Sequence, residues 1–144
     1  MSIPDEAFEI VERFEGCKLE AYLDAVNVPT IGFGHTGPDV YMGLVITQEV
    51  ADEWLRQDLE EAAAAVDRLV KVILTPNERA ALVSFVFNLG AGALAASILL
   101  KKVNAHDSEG AGDEFLRWVH AGGKTLPGLV TRRRAEADLF LTEA

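Results

Sequence analysis

The chain has 144 residues, a mass of 15.6 kDa and 49% hydrophobic residues, enough for one domain with a buried core. Its formal net charge of −10 lies within residues 1–96 and argues against nonspecific nucleic-acid binding. The lone cysteine, Cys17, excludes an intrachain disulfide framework and a multi-cysteine zinc site, and no apolar run approaches the roughly 20 residues that span a bilayer.

In chain order, Ala7, Ile10, Val11 and Phe14 recur at helical spacing and predict a helix over 4–15, stopped by Gly16. Its acidic start, MSIPDEAFEI, lacks the basic and apolar regions of a secretory signal. From 18 to 35 the period changes. Leu19, Ala21 and Leu23 alternate with polar residues, "AVNVP" reads as a turn, and "TIGFGH" alternates again. A β-hairpin is expected, with a third strand near 40–46. Thr47 caps a long helix to about Val70, whose apolar stripe includes Val50, Leu55, Leu59, Ala62 and Val66. "TPNE" at 75–78 is a capping box with proline at the first helical position, opening a helix to Gly90. Further helices are expected at 97–104, 108–120 and 127–141, with "AGGKTLPG" as a loop. Arg132, Arg133 and Arg134 read as a solvated helix face, with an anion contact as the alternative. Cys17 reads as a small buried apolar residue rather than a reactive thiol.

The expected fold is α+β and mainly helical: a small antiparallel hairpin lobe and a helical lobe flanking a cleft. Residues 1–144 form one domain, with the first helix and β lobe over 1–46, a connecting helix over 47–70 and the helical lobe over 71–144.

The stretch "FEGCKLEAYLDAVNVPTIGFGHTG" at 14–37 gathers Glu15, Asp24, Thr30 and several glycines. If Asp24 faces Thr30, antiparallel register puts Tyr22 opposite Gly32 and Glu20 opposite Gly34, all on one face. Such a face offers carboxylates, hydroxyls and open space above glycine, which suits an extended, hydroxyl-rich ligand. Glu15 ends a helix, where the dipole disfavours a carboxylate, and dehydration by Phe14 and the helical lobe would add to that. Two carboxyls pushed apart in pKa are what glycoside hydrolysis uses: a protonated acid for the leaving oxygen and a carboxylate for the cation or the water. Singly, Glu15 reads as a helix-end residue, Asp24 as a turn residue and Thr30 as a strand former. Together around a Gly-x-Gly hairpin they favour the catalytic reading.

These residues resemble the phage lysozymes, the endolysins of lambdoid and T-even type in glycoside hydrolase family 24. Their Glu, eight residues, Asp, five residues, Thr pattern falls on Glu15, Asp24 and Thr30. "LVSFVFNLGAGALAASILLKKVN" at 82–104 and "FLRWVHAGGKTLPGLVTRRRAEADLFL" at 115–141 are similar to later segments of that family, so nearly the whole chain is covered. The resemblance implies a muramidase that cuts the β-1,4 bond from N-acetylmuramic acid to N-acetylglucosamine in peptidoglycan. It makes Glu15 the general acid and Asp24 with Thr30 the holders of the water. It assigns Gly32, Phe33, Gly34 and His35 to the hairpin floor, beside the Tyr22 that the register already puts on the ligand face, and Phe87 and Asn88 to the opposing wall, and it brings Arg132 toward Glu15; by itself, His35 reads first as a core residue paired with a carboxylate and second as a ligand contact. No cofactor or metal is implied, and His35, His106 and His120 lack ligand spacing. The implied partners are peptidoglycan glycan strands reached by a monomer from the host cytoplasm, with a holin-type lesion for release and no membrane insertion. Asn27 departs from the family's frequent turn glycine, Ala95 and Ala96 from bulkier or hydroxyl residues, and the acidic charge from its many basic members. A lytic transglycosylase needs the acid but neither Asp24 nor Thr30, and a non-catalytic peptidoglycan-binding module needs none of the three.

Overall fold

The computed structural model describes residues 2–143. Helix α1 (Asp5–Glu15) buries Ala7, Ile10 and Val11 and stops at Gly16, whose φ of 63° a side chain would disfavour. A hairpin follows, β1 (Lys18–Leu23) paired antiparallel with β2 (Pro29–Gly32). Thr47 then caps the 22-residue α2 (Gln48–Leu69), its Oγ1 accepting the N–H of Val50 at 3.2 Å. In α3 (Pro76–Leu89) the capping box is complete. Thr75 Oγ1 accepts the Glu78 N–H at 3.1 Å, and Glu78 Oε1 accepts the Thr75 N–H at 2.8 Å.

The remaining elements are α4 (Ala91–Ala95), α5 (Ile98–Asn104), α6 (Ser108–Phe115), a second hairpin of β3 (His120–Ala121) and β4 (Lys124–Thr125), and α7 (Pro127–Leu141). Helix α3 is buried continuously from Arg79 to Val86, because apolar residues occupy every side of it. Helices α1, α2 and α7 pack around it, and α6 covers α5 and α7. Phe85 meets Phe115 and Trp118 edge-on, at 5.8 and 5.4 Å between ring centroids. The hairpin lobe has its own small cluster of Ala21, Ile31 and Val40, backed by Leu44, Ile46 and Trp54. The architecture is the expected mainly helical α+β fold with two lobes flanking a cleft. Among the described residues, no helix is long and apolar enough to cross a membrane.

Several details differ from expectation. The hairpin register is Tyr22 opposite Thr30 and Leu23 opposite Pro29, not Asp24 opposite Thr30; a bulge then sets Lys18 opposite Gly32. The cause is Asp24 itself, whose side chain folds the turn and takes that residue out of the ladder. Strand β2 ends at Gly32, because Ile31 and His35 exchange backbone hydrogen bonds (2.9 and 2.8 Å) across a tight turn with positive φ at Gly32 and Gly34. The third strand is reduced to a Glu20–Val45 bridge, with backbone bonds from Ala21 to Leu44 and from Ile46 to Leu19. Helix α6 stops at Phe115 rather than 120, and the glycine loop is a tight hairpin turn on Gly122 and Gly123, both with positive φ. Cys17 is exposed, against the buried reading. Arg132 and Arg133 are buried and only Arg134 is solvated.

Candidate active site

Glu15 is the last residue of α1, so its carboxyl leaves the helix end at the seam between the lobes. Arg132 Nη1, from α7, donates to Glu15 Oε2 at 2.5 Å. On the opposite side runs the backbone of Gly34 (φ +72°), where an added Cβ would fall 2.5 Å from Glu15 Oε1. The Glu15 side chain, 21% exposed, is thus wedged between a guanidinium and a bare stretch of main chain. The expected apolar setting is only half of the picture. Phe14 is there, but the guanidiniums of both Arg13 and Arg132 lie over its ring.

Asp24 and Thr30 are held through one turn. Asp24 Oδ1 accepts the N–H groups of Val26 and Val28, both at 2.9 Å. The Val28 carbonyl in turn accepts the Asp24 N–H at 3.0 Å and the Thr30 hydroxyl at 2.8 Å. Val28 therefore fixes the carboxylate and the hydroxyl relative to each other. Asn27, with φ of 62°, supplies the left-handed step of the turn in place of the family's frequent glycine. Thr30 is buried and Asp24 half-buried, with Oδ2 free of protein partners among the described residues. Tyr22 lies directly across from Thr30. Burial raises its hydroxyl pKa above the ordinary value, and the charges of Glu15 and Asp24 raise it further, so the phenol lies in the field of both carboxylates.

Beyond Gly34 opens a cleft of about 350 Å³, with Thr36 on the hairpin side, Asp58, Glu61 and Ala62 from α2, and Phe87 and Gly90 from the end of α3. Glu15, Asp24 and Thr30 do not line this volume; Glu15 adjoins it through Gly34, one of its lining residues. Phe87 is a wall residue there. Asn88 is held beside it, its Oδ1 accepting from Arg133 Nη2 at 2.7 Å. Three residues assigned to the floor are placed elsewhere. Phe33 is buried in the helical-lobe core, and Gly32 is packed against Ala51 of α2. His35 is enclosed by protein groups: Nδ1 lies 2.7 Å from Asp58 Oδ2, Nε2 lies 3.3 Å from Asp39, and the ring stacks on Trp54 at 4.6 Å. Burial lowers the His35 pKa, but Asp58 and Asp39 more than offset this, and the net direction is upward. Burial raises the Asp58 pKa, with His35 opposing.

Behind Glu15 lies a polar network that the sequence reading missed. Glu136, fully buried on α7, receives the Ser84 hydroxyl at 2.5 Å and faces Arg132 and Arg133. Burial pushes the Glu136 carboxyl pKa up, against the pull of Arg133, Ser84 and Arg132. Arg133 Nε comes within 2.8 Å of Glu136 Oε1 without the alignment of a hydrogen bond, and Arg133 Nη1 has no partner among the described residues. The arginines precede Glu136 by four and three residues, a spacing that marks a possible helix-face ion cluster from sequence alone. Among the described residues, no group of three or more His, Cys, Asp and Glu is placed to hold a metal ion.

Residues 12–136 match the phage lysozyme family. The chain is 43% identical to an endolysin of Bacillus phage B103 over 99% of its own length and spans about half, 55%, of that relative. Among solved structures, an endolysin from Escherichia coli O157:H7 phage FAHEc1 superposes with a TM-score of 0.91 at 39% identity, covering 98% of this chain and 94% of that one. The muramidase domain of SpmX from Asticaccaulis excentricus superposes with a TM-score of 0.90 at 36% identity, covering 99% of each chain.

Proposed function

The chain belongs to the phage lysozyme family, and from that premise we propose that it is a muramidase of the endolysin type. It hydrolyses the β-1,4 bond between N-acetylmuramic acid and N-acetylglucosamine in peptidoglycan. Glu15 protonates the leaving oxygen, and Asp24 with Thr30 holds the water that attacks the anomeric carbon from the other side. The observation that carries this reading is the way Glu15 is held beside the cleft. Glu15 is fixed by Arg132 and by Gly34, a cleft-lining residue, and Asp24 shares a turn with Thr30 on the hairpin that leads into Gly34. Support also comes from the likeness to the muramidase domain of SpmX.

Within this mechanism the water lies against the free Oδ2 of Asp24, and Phe87 with Asn88 lines the face that receives the glycan. The partner is the glycan strand, which a monomer engages without entering the membrane; release from the host cytoplasm runs through a holin-type lesion. A water delivered by Asp24 and Thr30 inverts the anomeric centre, so the first product is the α-anomer. Time-resolved NMR of a soluble muropeptide digest reads this directly. An initial β-anomer would move Asp24 to the role of nucleophile, and 1,6-anhydro ends would make the protein a transglycosylase.

A further inference from the structure

Glu136 has no part in the proposed chemistry, yet it is fully buried and its two oxygens face a hydroxyl and two guanidiniums. Oε2 accepts from Ser84 Oγ at 2.5 Å, from Arg133 Nη2 at 3.2 Å and from Arg132 Nε at 3.4 Å. From this point the two arginines diverge. Arg132 Nη1 reaches Glu15 Oε2 at 2.5 Å, and Arg133 Nη2 reaches Asn88 Oδ1 at 2.7 Å. Arg132 Nη2 also touches the Ser84 carbonyl and hydroxyl, at 3.5 and 3.4 Å, which braces α7 against α3. On that muramidase reading, we propose that Glu136 is the positioning residue of the active site: one buried carboxylate that aims the acid Glu15 and the wall residue Asn88 together, through two adjacent arginines.

The physical argument rests on the shape of the guanidinium. It is a rigid planar fork, so fixing one edge fixes the direction of the others. Adjacent residues on a helix point about 100° apart, and a carboxylate on the same helix reaches both from three and four positions away. Glu136 stands at that spacing from Arg133 and Arg132. Electrostatic contacts to a charged group are stronger inside the protein than in water, and a misplacement of about 1 Å at a reacting group can cost around 10²-fold in rate. An ion cluster that only clamped α7 to α3 would act on stability and leave the turnover of the folded protein alone.

The test is Glu136→Gln in the whole chain, read by kcat and KM on purified peptidoglycan and by NMR of the arginine Nε–H and Asn88 side-chain amide signals. The expected result is a kcat about 10- to 100-fold lower, KM within about twofold, and displaced Arg132 Nε and Asn88 amide signals. Combined with Arg132→Lys, the losses should not multiply, because both changes break the same chain of contacts. A folded Glu136→Gln with wild-type kcat, unmoved signals, or losses that multiply would each overturn the proposal. If Glu136→Gln does not fold, Ser84→Ala takes its place. It should lower kcat about threefold and move the same signals, and unchanged values would overturn the proposal equally. Wild-type protein that releases no sugar ends would sink the muramidase reading alone. The NMR signals would still decide whether Glu136 aims both groups.

Discussion

In the hairpin lobe, Asp24 and Thr30 are held by the backbone of a turn, within a few residues of where they are encoded. In the helical lobe, Glu15 and Asn88 are held by arginines 117 and 45 positions away, and the carboxylate behind those arginines never meets solvent. The hairpin has a three-residue cluster beneath it, whereas α3 is enclosed on all sides. The two halves of the proposed active site therefore rest on different physics. One depends on turn geometry, the other on packing and on charges that burial makes costly to leave unpaired.

The largest expected effect of that contrast is on stability. Phe85→Ala should cost about 3–5 kcal/mol, since it empties the centre of an aromatic cluster. Leu23→Ala, on the half-exposed rim of the hairpin, should stay within about 0.5 kcal/mol. Urea titrations of both variants measure the gap, and comparable losses would erase the distinction between the lobes.

Asp24→Asn tests the hairpin half for chemistry. The amide oxygen can keep the bonds to Val26 and Val28, so the melting temperature should barely move. Turnover should fall by about 10² or more, close to 3 kcal/mol of barrier. An active variant would leave Asp24 with the turn as its sole job.

Gly34→Ala probes the contact between the halves. Its φ of +72° makes a side chain cost about 1–2 kcal/mol, and the new Cβ must push Glu15 aside. Turnover should drop at least about tenfold, consistent with a displaced acid. A fully active variant would show that Glu15 does not need this wall.

The smallest effect is the pH response of His35. Its folded pKa is raised above the unfolded value near 6.5, so its contribution is complete below about pH 6.5 and is lost as pH rises through the folded value. Asp58, also raised, loses its corresponding contribution far lower, as pH rises from about 3.8. The urea midpoint should therefore fall between pH 5.5 and 8.5, and His35→Asn should flatten that fall. An unchanged slope in the variant would assign the pH dependence to other groups.

The same division explains what the sequence disclosed. Thr75 and Glu78 announce α3, Thr47 announces α2 and Gly16 ends α1, because caps act within one turn of chain. Glu15, Asp24 and Thr30 stand out by spacing, and the turn around Asn27 is local as well. Their register departs from simple alternation because the Asp24 side chain itself folds the turn, a choice that strand alternation cannot express. The burial of Arg132 and Arg133 was hidden for a different reason. It depends on Ser84, Asn88 and Glu15, which only the assembled fold brings within reach. Phe33 and His35 show the same limit: the family resemblance put them on a sugar-facing floor, while long-range partners hold one in the core and the other between Asp58 and Trp54.

The most direct measurement is digestion of purified peptidoglycan by the wild-type protein and by Glu15→Gln, with mass spectrometry of the released muropeptides. Hydrolysed reducing ends from the wild type, and at least about 10²-fold fewer from a folded Glu15→Gln, are the predicted result. Equal release by both proteins would contradict the account, because the bond would then be cut without the acid at the end of α1.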